Sequence, residues 1–231
     1  VARENNRKRL IGSTVRSWLG GPRRDGAGDA FATAVGASDA LVEVRRRLDV
    51  SALDEAVLDE LLAKAESRAA GYSLVQWRGP TPEAYLADIA YLDGRLTQDA
   101  PMGDLSWEPE KVDADRVRGV EEAHKVRGRR MSHTAMVHDA SGRIVAWTLL
   151  SMEHDPDWHA WQQITIVDPD HRGHRLGTIV KIENLRFLRA AAPELKFIDT
   201  TNAASNDFMI SINELLGFRP VDAFVDWQQD L

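Results

Sequence analysis

Apolar residues recur along this chain in two rhythms, alternation and helical spacing, and the switches between them mark out its elements. Residues 9–15, Arg-Leu-Ile-Gly-Ser-Thr-Val, and residues 40–49, whose apolar positions alternate, predict two strands. Between them, residues 20–28 carry four glycines and read as a loop, and residues 29–36 predict a short helix stopped by Gly36. Over residues 51–70, Leu53, Val57, Leu58, Leu61, Leu62 and Ala65 share one helical face, and Ser51 stands before an acidic first turn as the expected N-cap. A new strand is expected at 71–77, then a Gly-Pro-Thr-Pro turn into a helix carrying Tyr85, Ile89, Tyr91 and Leu92. Residues 99–110 hold too many breakers for regular structure yet contain Met102, Leu105 and Trp107. Such a loop can wall a pocket or can simply pin its apolar residues to the body.

Asp113 caps an expected charged helix to Arg127, and strands at 131–138 and 143–152 flank the turn Asp139-Ala140-Ser141-Gly142, which makes them an antiparallel hairpin. A strand at 158–167 runs into a polar loop and then a helix that ends near Pro193. The buried strand at 195–200 is expected to lie parallel beside the strand containing Ile164, because strand-helix-strand crossovers place parallel strands in one sheet. A last helix, 206–217, sets Phe208, Met209, Ile212, Leu215 and Leu216 on one face before Gly217, and a last strand covers 223–227. The fold class is therefore α/β (α+β), a mixed sheet flanked by helices.

Composition narrows the function classes. The chain has 231 residues, 43% hydrophobic and 28% charged, with a formal net charge of −7. That balance argues against general affinity for nucleic acid or for an anionic membrane. The basic clusters at 45–47 and 127–130 lack the interleaved aromatics of a strand-binding surface. With no cysteine, disulfides, thiolate metal sites and a thiol nucleophile are excluded, and cytoplasmic residence is the expectation. No apolar run approaches a membrane span, and no apolar signal segment follows the charged start. His133, His138 and His171 have no metal-ligand spacing, so no metal is expected.

The most informative stretch is 162–178. A β-branched run ends at Asp168-Pro169, and Arg172-Gly173-His174-Arg175-Leu176-Gly177-Thr178 then opens a helix. A Gly-containing loop at a helix start aims unpaired backbone N–H groups and the positive end of the helix dipole at one point, a natural seat for a phosphate or pyrophosphate. The spacing is neither that of a Walker loop nor that of a dinucleotide fingerprint. It resembles the acyl-CoA loop of the GNAT superfamily of N-acyltransferases, Arg/Gln-x-x-Gly-x-Gly/Ala after a strand. Arg175 replaces the middle glycine of that pattern, and the expectation is that it takes a non-glycine backbone angle.

A second string resembles the same family. Asn206-x-x-Met209-x-x-x-Asn213-x-x-Leu216-Gly217-Phe218 is similar to its Asn-x-x-Ala-x-x-x-Tyr-x-x-Leu-Gly-Phe helix. The resemblance implies the GNAT fold over residues 71–231, preceded by a connecting helix at 51–70 and a partial GNAT-like unit at 1–50, as in the tandem branch that includes mycothiol synthase-like proteins. It also implies that acetyl-CoA (coenzyme A) binds through Thr165, Ile166 and Val167 at the pantetheine and carbonyl, through Arg172, Gly173, His174, Arg175, Leu176, Gly177 and Thr178 at the pyrophosphate, and with Asn202 and Asn206. Asn213 stands where the family's tyrosine protonates the leaving thiolate, and it cannot act as an acid. For the base the candidates are Glu153, His154 and His159, with Glu153 preferred. The function so implied is N-acetylation of a small-molecule amine by direct transfer in a ternary complex. The alternative is a catalytically silent acyl-CoA-binding or interaction protein.

Overall fold

The computed structural model describes residues 2–106 and 111–231. In chain order the elements are β1 (Arg9–Ser17), α1 (Ala27–Ala34), β2 (Ser38–Asp49), α2 (Glu55–Glu66), β3 (Tyr72–Arg78), α3 (Leu86–Asp99), α4 (Ala114–Val126), β4 (Arg130–His138), β5 (Arg143–Met152), β6 (His159–Val167), α5 (Leu176–Ala191), β7 (Phe197–Ala203), α6 (Asp207–Leu215) and β8 (Arg219–Asp230). They form two compact units that interleave along the chain: Val1–Arg47, Ala100–Glu108 and Thr200–Leu231 in one, Leu48–Asp99 and Pro109–Asp199 in the other.

The larger unit is built on strands in the order β7-β6-β5-β4-β3, where β7 contributes its first residues. β3 to β6 pair antiparallel in succession, while β6 and β7 pair parallel, so the sheet is mixed. Helices cover both faces. α5 buries Leu176, Ile179 and Val180 against Met136, Val145 and Ala146, with Ala65 and Ala69 beside them. On the other side Leu86, Ile89 and Leu92 of α3 and Val117 of α4 pack on Trp77, Trp147, Ile164 and Ile166. A sheet covered on both faces needs apolar residues at successive positions, and β5 is accordingly buried from Ile144 to Met152. α2 starts at Asp54, whose carboxylate accepts from the N–H groups of Ala56 and Val57. The N-cap is therefore Asp54 rather than the expected Ser51, which lies in a preceding 3-10 turn and donates to Asp49.

The smaller unit has β8 between β1 and β2, antiparallel to both. Ala32 of α1 packs on Val225 and Trp227. The loop after α3 is fastened to these strands, since Asp104 N–H donates to the Ala40 carbonyl at 2.8 Å and Ser106 N–H to Gln228 Oε1 at 2.9 Å. Its described part thus takes the pinning role, and Trp107 lies outside the described residues.

Asp222 of β8 is 1% exposed and receives both Arg45, at 2.6 Å, and Arg24, at 2.5 Å. Burial alone would raise its carboxyl, but the hydrogen bonds from Arg45 and Arg24 more than reverse that and hold it below the usual carboxylate range. Removing one member of such a cluster strands the others, so Asp222→Ala should cost about 3 kcal/mol. A folded pKa below the unfolded value means that this stability is present above about pH 4 and is lost as pH falls through the folded value. Urea unfolding of the variant at pH 7 checks the first statement, and the shrinking gap between variant and parent in acid checks the second.

Candidate functional site

β6 is the strand on which the site is built. Its ladder with β7 runs from His159↔Phe197 to Trp161↔Asp199 and stops there. On its other edge, β5 pairs Leu149 with Ile164 and Leu150 with Gln162, so Gln163 is an extra, bulged residue with an exposed side chain. Asp168 N–H donates to the Val145 carbonyl, which fixes the alternation: Ile166 faces β5, and the backbone of Thr165 and Val167 faces the opposite edge. Among the described residues that edge pairs with β7 only as far as Trp161. A run of outward N–H and C=O groups is thus presented past the bulge.

At the end of β6 the chain makes a 3-10 turn, Pro169–His171, capped by Asp168, and enters α5 through two left-handed residues. Gly173 has φ 87° and Arg175 φ 59°. The expectation of a non-glycine angle at Arg175 is therefore wrong: the arginine takes the glycine-like conformation, at roughly 1–2 kcal/mol of strain for an L-residue. Strain of this kind persists only where the surrounding structure over-determines it, and it gathers at ligand sites. Among the described residues no acceptor is recorded for the N–H groups of residues 173–177. Five donors at the positive end of a sixteen-residue helix make an anion seat. Nothing stands within 4 Å of where a Gly173 Cβ would lie, so the approach is open.

Side chains around the loop divide into scaffold and free groups. His171 Nδ1 lies 3.0 Å from the Tyr72 hydroxyl, and His174 Nδ1 lies 3.0 Å from the Arg68 carbonyl. Both rings therefore anchor the loop through Nδ1. Arg172 is half exposed and donates to Asp99 at 2.9 Å, and Asp99 also takes Arg95 at 2.8 Å. Arg175 is exposed, while Leu176, Gly177 and Thr178 are buried at the helix start. Asp99 and Tyr72 were not singled out from sequence, since nothing in a helix C-terminus or a strand start announces a partner 73 or 99 residues away.

The acid-base candidates have separate fates. Glu153 accepts from Arg129 at 2.7 Å, and that hydrogen bond holds its carboxyl below the usual range, against the opposing effect of burial. A carboxylate so paired is a weak base. His154 is exposed. His159, in the first pair of the β6-β7 ladder, lies 3.1 Å from the buried Asp199, which is in the last, without hydrogen-bond alignment. His133 is stacked on Trp77 at 4.7 Å between ring centroids, and burial pushes it down to about 3, which makes it a neutral structural group.

In the smaller unit, Asn213 is fully buried and donates to Asn202 Oδ1 at 2.6 Å, while its own Oδ1 is buried without a partner. Asn206 caps α6 by accepting from Met209 N–H at 3.2 Å. Its side chain is thereby committed to the helix.

Neither the family models nor the curated proteins contain a match to the chain. Solved structures do match it. A tandem GNAT protein from the clavulanic acid biosynthesis pathway, solved without acetyl-CoA, shares 35% identity over 99% of this chain, with a TM-score of 0.81. The chain spans 66% of that protein's length. GCN5-related N-acetyltransferases from Sphaerobacter thermophilus and Kribbella flavida match at 10% and 14% identity, with TM-scores of 0.61 and 0.57 over 99% and 98% of this chain and 63% and 70% of theirs. At those identities they show the fold alone. The strand order, the bulged β6, the anion-seating loop and the 35% identity to a tandem relative converge on one statement: the chain belongs to the GNAT superfamily.

Proposed function

We propose that the protein is an acetyl-CoA-dependent N-acetyltransferase that acts on a small-molecule amine by direct transfer in a ternary complex. The observation that carries this reading is the set of five unengaged N–H groups at residues 173–177, held outward by the left-handed Arg175. They suit a pyrophosphate, with Arg172 and Arg175 adding charge at its rim. The fit of acetyl-CoA to these residues rests on that donor set and on the open edge of β6. Bound there, acetyl-CoA would supply an acetyl thioester as the acyl donor.

The chain's own residues then have assignable work. We place the pantetheine arm along Thr165, Ile166 and Val167, where an outward backbone N–H can stabilise charge on the carbonyl oxygen, an effect typically worth about 3 kcal/mol. Asn213 carries no acidic proton, so it could not protonate a leaving thiolate. The ammonium of the acceptor must lose a proton before attack. Glu153 remains a base only if its pair with Arg129 opens; His159 beside Asp199 is the group better prepared to take that proton. The absence of cysteine fits a cytoplasmic setting, and no helix among the described residues is long and apolar enough to cross a membrane.

The test is thiol release from acetyl-CoA against a panel of small amines. Release above the hydrolytic background with at least one amine is expected; tight coenzyme A binding with no release from any would favour the silent acyl-CoA-binding reading, to which Asn213 and the paired Glu153 lend weight. Two variants sharpen it. Glu153→Gln should alter kcat/KM by less than about tenfold, whereas loss of a true general base costs about 100- to 10,000-fold. Arg175→Gly should keep fold and coenzyme A binding, while Arg175→Val should lose about 2 kcal/mol of stability, because a β-branched residue resists the left-handed angle. Thermal unfolding of the two side by side, with calorimetric titration of coenzyme A, checks the pair.

A further inference from the structure

α5 carries a lysine into the interior of the larger unit. Lys181 is 2% exposed, one helical turn from the buried Gly177, Thr178, Asn184 and Leu185, and its ammonium donates to Gln162 Oε1 at 3.3 Å. Gln162, itself 8% exposed, turns its amide nitrogen to three acceptors: Thr148 Oγ1 at 2.8 Å, the Leu149 carbonyl at 2.9 Å and the Ile164 carbonyl at 3.0 Å. Thr148 Oγ1 in turn bonds the Ile164 carbonyl and lies 2.8 Å from Thr165 Oγ1. Every one of these acceptors flanks Gln163, the bulged residue of β6.

The chemistry of the pair fixes its direction. An ammonium has donors and no acceptor, so it must face the amide oxygen, and the amide nitrogen is then forced toward the strand carbonyls. Without the lysine, the amide can flip and present an oxygen to oxygens. We propose that Lys181 and Gln162 are positioning residues that clamp the β6 bulge and thereby set the outward backbone groups of Thr165 and Val167 for the acyl donor. The proposal rests on the acyl-transfer reading and deepens it by naming what holds the reacting edge in place.

Burial pushes Lys181 down to about 7, which measures how costly its ammonium is in that setting. Replacing such a group by an apolar side chain of similar length is often neutral or stabilising. A clamp and a merely structural lysine thus differ in what their loss does.

Lys181→Met and Gln162→Glu test it. Glutamate keeps the volume and the contact to Lys181 but has no N–H for the carbonyls. For Lys181→Met we expect the thermal midpoint to hold or rise and for Gln162→Glu to fall while the chain stays folded, with amide exchange at residues 163–167 faster by about tenfold in both. The value of kcat should fall about 10- to 100-fold, with KM for acetyl-CoA and calorimetric affinity for coenzyme A within about threefold. Parental kcat and exchange in either folded variant would overturn the clamp. If Lys181→Met does not fold, Gln162→Glu decides alone. If the parent chain transfers no acyl group to any amine, the acyl-transfer reading fails, and the exchange comparison still decides whether the pair holds the bulge.

Discussion

The start of α5 imposes the constraint from which the rest of the site follows: a strand must end, turn within a few residues and begin a helix while leaving its first N–H groups unspent. Most helices cover these donors with a side-chain cap, and this one has none. The turn needs two left-handed residues, one of them an arginine held there at a cost. Around it, Tyr72, the Arg68 carbonyl and Asp99 fasten His171, His174 and Arg172 without touching the donors themselves. The surroundings therefore stiffen the loop from the outside and leave its concave side to an anion.

Much of this was legible in the sequence. The switch from β-branched alternation to helical spacing at Asp168, the glycines at 173 and 177 and the hairpin turn at 139–142 each locate an element to within a few residues, because local sterics fix them. The parallel neighbour of β6 was legible too, since the crossover rule leaves few choices. What sequence could not supply were quantities set by distant packing. The left-handed angle of Arg175 is tertiary override of residue preference. The salt link between Glu153 and Arg129 weakens a base that looked suitable by position, and the capping of α6 spends the Asn206 side chain. Lys181 was visible in principle: a charge inside the apolar run Ile179-Val180-Lys181-Ile182 is a signal of its own.

The interior of the larger unit shows how stability and function compete. Its core of Ile, Leu, Val and Trp on both faces of the sheet is sufficient to hold the strands. The bulge, the left-handed arginine and the buried lysine all work against that stability, and all three lie within β6 or the helix that follows it. Strained and costly groups gathered at one strand end are what a preorganised site requires, since donors aimed at a ligand in advance need no reorganisation when it arrives.

Mapping backbone amide resonances of the isotopically labelled chain during titration with coenzyme A tests the central claim most directly. The account predicts saturable shifts concentrated at residues 173–177 and at Thr165 and Val167, with the amides of β1 and α1 unmoved. Saturable binding that leaves residues 173–177 unperturbed would contradict it.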